Sequence, residues 1–164
     1  METKRIEVER VSFVSKRSFE EVLGSLDVGI GRPNLHELGR QLAEARTFEE
    51  YAAIIRSVVG GADLMELLRL DLGAVLRKDP AAKAYKIVRI IAGNPLIMKQ
   101  MTEYVPDAGS YAPVTILVYE REDGVHVSYD TMASHLAAYG NEKALKVARD
   151  LDAKVVGLMK KATE

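Results

Sequence analysis

The sequence predicts an α+β fold in two layers, a small mixed or antiparallel sheet of about four to five strands with helices on one face, plus an inserted αα-hairpin. Three observations predict it. Apolar, β-branched runs such as Ile87-Val88-Arg89-Ile90-Ile91 and Val114-Thr115-Ile116-Leu117-Val118 are interleaved with segments of helical periodicity. Asp123-Gly124 sits between two such runs and spells a tight hairpin turn. A long amphipathic pattern, from about Asn141 to Ala162, closes the chain. The 164 residues make one domain, 1–164, on length alone, with the helical hairpin inserted at about 34–60.

Taken in order, 6–14 reads as a strand of weak period two, with Ile6, Val8 and Val14 on one side. Ser18-Phe19-Glu20-Glu21 spells a capping box and opens a short helix to about Leu26. Gly29-Ile30-Gly31-Arg32-Pro33-Asn34 is a breaker cluster, read as a turn or linker. It lacks the third glycine of a dinucleotide fingerprint, and no Gly-Lys-Ser/Thr follows, so a phosphate loop is set aside. Leu35, Leu38 and Leu42 place a helix over 34–45. Thr47-Phe48-Glu49-Glu50 spells a second capping box for a helix that Gly60-Gly61 stops. The run 64–72 is ambiguous, because its leucines permit a helix and β-branched residues are missing. The span 84–92 is a strand, and Asn94-Pro95 then caps and starts a helix whose inward stripe is Ile97, Met101 and Tyr104. After a turn at Asp107-Ala108-Gly109, 114–120 and 125–129 form the hairpin. The closing helix carries the seam Leu145, Ala148, Leu151, Val155, Leu158 and Ala162.

Composition narrows the function classes. Hydrophobic residues make up 48% and charged residues 29%, which suits a folded core and argues against disorder. Lysine and arginine number 23 against 24 acidic residues, for a net charge of −1, so no global electrostatic case exists for nucleic acid or an anionic membrane, and neither is expected as a partner. The absence of cysteine excludes disulfides, thiolate zinc sites, iron–sulfur clusters and cysteine nucleophiles. The three histidines, His36, His126 and His135, show no metal-binding spacing, and no Gly-x-Ser-x-Gly elbow is present. No metal and no cofactor are therefore expected. The early charges Glu2, Lys4 and Arg5 speak against a secretory leader, and no apolar stretch is long enough to span a membrane, so a cytoplasmic location is expected.

Several motifs together carry a resemblance. Gly93-Asn94-Pro95, then Pro106-Asp107-Ala108-Gly109, the proline-led strand from Pro113 to Glu120, Asp123-Gly124, and Ser128-Tyr129-Asp130 follow one another in a fixed order. The chain resembles the bacterial and archaeal domain-of-unknown-function family numbered 302 over residues 5–26 and 62–162. That resemblance implies a strand, not a helix, at 64–72, a compact α+β fold and a homodimer. It implies no activity. The family's second strand ends in an Ile-Asp-His-like element; here the corresponding residues are Leu70-Asp71-Leu72, with the aspartate kept and the histidine absent.

Six residues are candidates for a ligand site: Asp71, Asn94, Tyr119, Arg121, His126 and Ser128. With Asp123-Gly124 as the two-residue turn, Arg121 faces His126 and Tyr119 faces Ser128, and one sheet face carries all four. Such a face suits a small anionic ligand or a second subunit; the plain alternative is a solvated surface. Asp71 ends an apolar run and would serve as a base if burial raised its pKa, or as a turn residue bonding nearby amides. Asn94 caps a helix whose N-terminus attracts anions. No nucleophile, base and orienting group form a set, so the leading expectation is a non-enzymatic homodimeric ligand-binding or regulatory module. The alternative is a small enzyme acting on a carboxylate- or phosphate-bearing metabolite, with Asp71 or His126 as acid/base, which requires these groups to converge. A third possibility assigns a partner-protein role to the helical hairpin.

Overall fold

The computed structural model describes residues 3–164; Met1 and Glu2, which enter the leader argument above, lie outside them. Six strands form one sheet in the order β1-β6-β5-β4-β3-β2. They are β1 (Arg10–Ser15), β2 (Ile30–Gly31), β3 (Leu64–Asp71), β4 (Ile87–Gly93), β5 (Val114–Arg121) and β6 (Gly124–Asp130). Neighbours run antiparallel except β2 and β3, which are parallel. The α+β class holds, with one strand more than the sequence implied.

The extra strand is β2, inside the segment read as a linker. Two residues are too few for any periodicity to show, and glycines are normally depleted in strands. Here glycine is required by close approach: a Cβ on Gly31 would lie 2.0 Å from the Val58 carbonyl oxygen. The parallel pairing also gives the helical hairpin its place. Helices α2 (Leu35–Glu44) and α3 (Phe48–Val58) connect β2 to β3. Parallel neighbours need such a crossover, and the hairpin supplies that link between two strands of the sheet. It packs a second small core, in which Leu38 and Ile55 meet Met65 and the partly buried Leu67 and Leu96.

Local signals behave as their chemistry predicts. The Ser18 capping box forms in full at the start of α1 (Phe19–Gly29). Thr47 accepts from the Glu50 amide at the start of α3, but the Glu50 side chain accepts from the Arg46 amide, so that box is incomplete. The ambiguous 64–72 is strand β3: pairing with β4 along its length decides what side-chain propensity left open. Strand β1 begins only at Arg10, four residues later than read, because β6 ends at Asp130; before Arg10 the pairing shrinks to the Thr131 amide donating to the Glu9 carbonyl at 2.9 Å.

Helices α1, α4 (Pro95–Thr102), α5 (Met132–Ala137) and α6 (Glu142–Thr163) cover one face of the sheet. Val88, Ile90, Ile116, Val118, Val127 and Tyr129 point into that layer against Leu151, Val155 and Met159 of α6. The α4 stripe differs at its end: Tyr104 lies outside the core, 42% exposed, and Val105 takes the buried place. Among the described residues no helix is long and apolar enough to cross a membrane.

Candidate functional site

The β5–β6 hairpin positions four of the candidate side chains. Its register pairs Arg121 with Gly124, Tyr119 with His126, and Leu117 with Ser128. The turn is therefore Glu122-Asp123, and the expected facing pairs are corrected by two residues. Gly124 opens β6 with φ 142°, and a Cβ there would meet the Ser15 carbonyl at 2.5 Å, so glycine is needed as the first strand residue. A shift of two preserves the faces of a pleated strand, so Leu117, Tyr119, Arg121, His126 and Ser128 still share the side away from the helices.

Near the turn these side chains satisfy one another. The rings of Tyr119 and His126 stack at 5.1 Å, and the Arg121 guanidinium lies 5.2 Å from the Tyr119 centroid. His126, 9% exposed, donates from Nε2 to an Asp123 carboxylate oxygen at 2.8 Å. That hydrogen bond holds the Asp123 carboxyl below its ordinary range. The arrangement is a ladder of mutual contacts.

Asp71 and Asn94 do not join it. Asp71 pairs across the sheet with Val88, which pairs with Val118, and both valines face the helices. Tyr119 and His126 project from the opposite face, so the convergence that the enzymatic alternative requires is not formed. The Asp71 carboxyl is also exposed and hydrogen-bonded by Arg77, which lowers its pKa, the reverse of what a buried base needs. Asn94 caps α4, accepting from the Leu96 amide at 2.9 Å and donating to the backbone and side-chain oxygens of Asp63 at 3.0 Å. Its polar atoms are in use inside the fold.

The same sheet face carries a cavity toward its other end, of about 510 Å³. Of the six candidates only Ser128 lines it, together with Arg10, Arg89, Thr115, Asp130 and the rings of Tyr111 and His135. Arg89 stands in the middle of β4, opposite Leu117, and its guanidinium donates to Thr115 Oγ1 at 3.3 Å. No carboxylate lies within ion-pair distance of it among the described residues. Arg10 makes a two-pronged pair with Asp130, at 2.6 and 2.8 Å, and this holds the Asp130 carboxyl below its ordinary range. Tyr111 and His135 stack at 4.6 Å, nearly parallel, and the Tyr111 hydroxyl meets that of Tyr139 at 2.9 Å. That contact raises the Tyr139 phenol to about 12.

His135 reaches the cavity because α5 starts directly after β6. Thr131 offers that helix no side-chain cap; Asp152 of α6 supplies one, accepting from the Met132 and Ala133 amides at 2.7 and 3.0 Å. Asp152 also accepts from the Tyr129 hydroxyl at 2.6 Å. The Tyr129 phenol is driven far above its usual pKa, first by burial and then by the Asp152 charge. One signal in the sequence pointed at the cavity: Arg89 interrupts an otherwise apolar central strand. Nothing local marks Tyr111 or His135 as its neighbours.

A family model, "Domain of unknown function DUF302", matches residues 40–162. The chain belongs to this family. The DUF302 match takes in α3 and the whole sheet from β3 onward, whereas residues 5–26 lie outside it. No curated protein matches the chain. Among solved structures, the chain is similar to an uncharacterised conserved DUF302 protein from Bacillus stearothermophilus at 10% identity and a TM-score of 0.64, covering 93% of this chain and 97% of that one. At that identity the likeness shows the DUF302 fold alone.

Proposed function

We propose that this DUF302 chain is a cytoplasmic, homodimeric binding or regulatory module that takes a small anionic ligand in the cavity around Arg89. The observation that carries the reading is Arg89 itself. It is a cation on a central strand, beside a cavity, with a hydroxyl as its hydrogen-bonding partner and, among the described residues, no carboxylate. Guanidinium groups present a planar fork of donors that matches a carboxylate or phosphate. The dimer is supported by apolar side chains on the same face: Val14 pairs with His126 and Leu68 with Ile91, and they are 51% and 47% exposed. A second copy would cover them.

Arg89→Gln tests the ligand reading. Carboxylates and phosphates are screened by thermal shift against wild type and variant, with light scattering on both. A ligand at about 100 times its Kd stabilises wild type by about 2.7 kcal/mol. For a chain of this length that raises Tm by about 5–10 °C. The variant should lose the shift while its own Tm stays close to wild type, since an exposed surface arginine contributes little to folding. Anion-induced shifts of equal size in both proteins would overturn the assignment, and a strict monomer would overturn the dimer.

A further inference from the structure

We infer that the ligand is an aromatic monocarboxylate, its carboxylate on Arg89 and its ring laid against the stacked pair of Tyr111 and His135. The inference rests on the proposed Arg89 site and narrows its ligand class.

Charge sets the valence of the guest. The cavity holds two arginines, Arg10 and Arg89, and one carboxylate, Asp130. Arg10 and Asp130 neutralise each other through two hydrogen bonds, which leaves one positive charge, that of Arg89. A single guanidinium balances a monoanion; a phosphate monoester would bring nearly two negative charges and meet the Asp130 carboxylate as well.

The wall sets the shape. Tyr111 and His135 lie 13° from parallel with centroids 4.6 Å apart, so they stand in the cavity wall as one stacked aromatic pair. His135 Nδ1 is sealed from solvent and has no hydrogen-bond partner among the described residues. A buried polar atom left unpaired calls for a reason, since most find a partner. Here the ring is held by its stacking on Tyr111, which fixes its plane at the cavity wall at the expense of that hydrogen bond. Leu72, Leu117 and Pro113 complete an apolar lining around the ring surface. At about 30 Å³ per water-sized group, the volume of 510 Å³ admits roughly 17 such groups, ample for one ring with a carboxylate and a substituent. Tyr111 precedes Thr115, the residue that holds Arg89, by four positions, at most about 14 Å of extended chain. One short segment thus carries Tyr111 and the hydroxyl that holds Arg89, close enough for a single compact guest to touch both ring and cation.

The test compares benzoate, cyclohexanecarboxylate, acetate and inorganic phosphate by isothermal titration calorimetry. Benzoate should bind about 2- to 10-fold tighter than cyclohexanecarboxylate, the range that ring stacking provides beyond area burial. Tyr111→Leu should bring that ratio to about one while carboxylate binding persists; His135→Leu gives the same readout should the first variant fail to fold. Arg89→Gln should abolish binding of both acids. Equal affinities for the two acids in wild type, or a ratio unchanged in both ring variants, overturn the aromatic assignment and leave the Arg89 site standing. Phosphate binding tighter than every monocarboxylate overturns the monoanion assignment. Carboxylate binding that persists in Arg89→Gln overturns the site itself, as does the absence of binding by all four probes.

Discussion

Asp152→Ala should be among the most damaging single substitutions in this protein, although the residue lies on a helix surface far along the chain from what it holds. Its carboxylate accepts three hydrogen bonds, from the Tyr129 hydroxyl and from the amides of Met132 and Ala133. Loss of an N-cap costs about 0.5–2 kcal/mol. Stranding a buried hydroxyl costs about 1–3 kcal/mol, and Tyr129 is 2% exposed. The Met132 amide keeps a weaker contact with the Tyr129 hydroxyl at 3.2 Å, which trims the total. The expected loss is therefore about 2–4 kcal/mol, or about 1–2 M in the urea midpoint at a typical slope. Urea unfolding of wild type, Asp152→Ala, Tyr129→Phe and the double variant forms a cycle. A direct hydrogen bond predicts a coupling of about 0.5–3 kcal/mol between the two positions. A loss under about 1 kcal/mol for Asp152→Ala, or a coupling within about 0.5 kcal/mol of zero, would refute the claim that α6 caps α5 through this residue. Because α5 carries His135, the same contact holds one wall of the cavity.

Three further outcomes are expected from the same packing. Tyr129 has a folded pKa raised above its ordinary value of 10.0 by burial, so the folded state keeps a proton that the unfolded state releases. Its contribution is complete below pH 10 and is lost as pH rises toward the folded value, at up to about 1.4 kcal/mol per pH unit. Denaturant unfolding between pH 9 and 11 should show wild type falling more steeply than Tyr129→Phe, and parallel curves would contradict this. Gly124→Ala should destabilise by about 1–3 kcal/mol, because φ is 142° and the new Cβ would strike the Ser15 carbonyl; an unchanged Tm would disprove it. Deleting residues 34–60 should give insoluble protein, since it removes the β2-to-β3 crossover and uncovers Met65, which is 2% exposed. A soluble deletion variant of unchanged Tm would show that the hairpin is dispensable after all.

Short-range chemistry was legible in the residues themselves. Ser18, Thr47 and Asn94 cap the helices that follow them, because a cap is a contact between a side chain and amides two or three positions away. The α6 seam and the inward face of β5 were legible for the same reason: periodicity records which side of an element is buried. The α+β class and the DUF302 family followed from these elements and from their motifs in order. Tertiary structure alone decided the rest. Strand β2 exists only because β3 lies beside it, and β3 is a strand because β4 pairs with it; hydrogen bonds between distant segments leave no local periodicity. The Glu122-Asp123 turn was settled by the pairing of the whole β5–β6 ladder, against the local spelling, which favours Asp123-Gly124. The cavity is the extreme case. Arg89, Thr115, Ser128 and His135 come from four separate elements, and Asp152 holds Tyr129 and α5 across a gap of some twenty residues. Side chains act on whatever folding brings near them, and that proximity is a property of the packed chain.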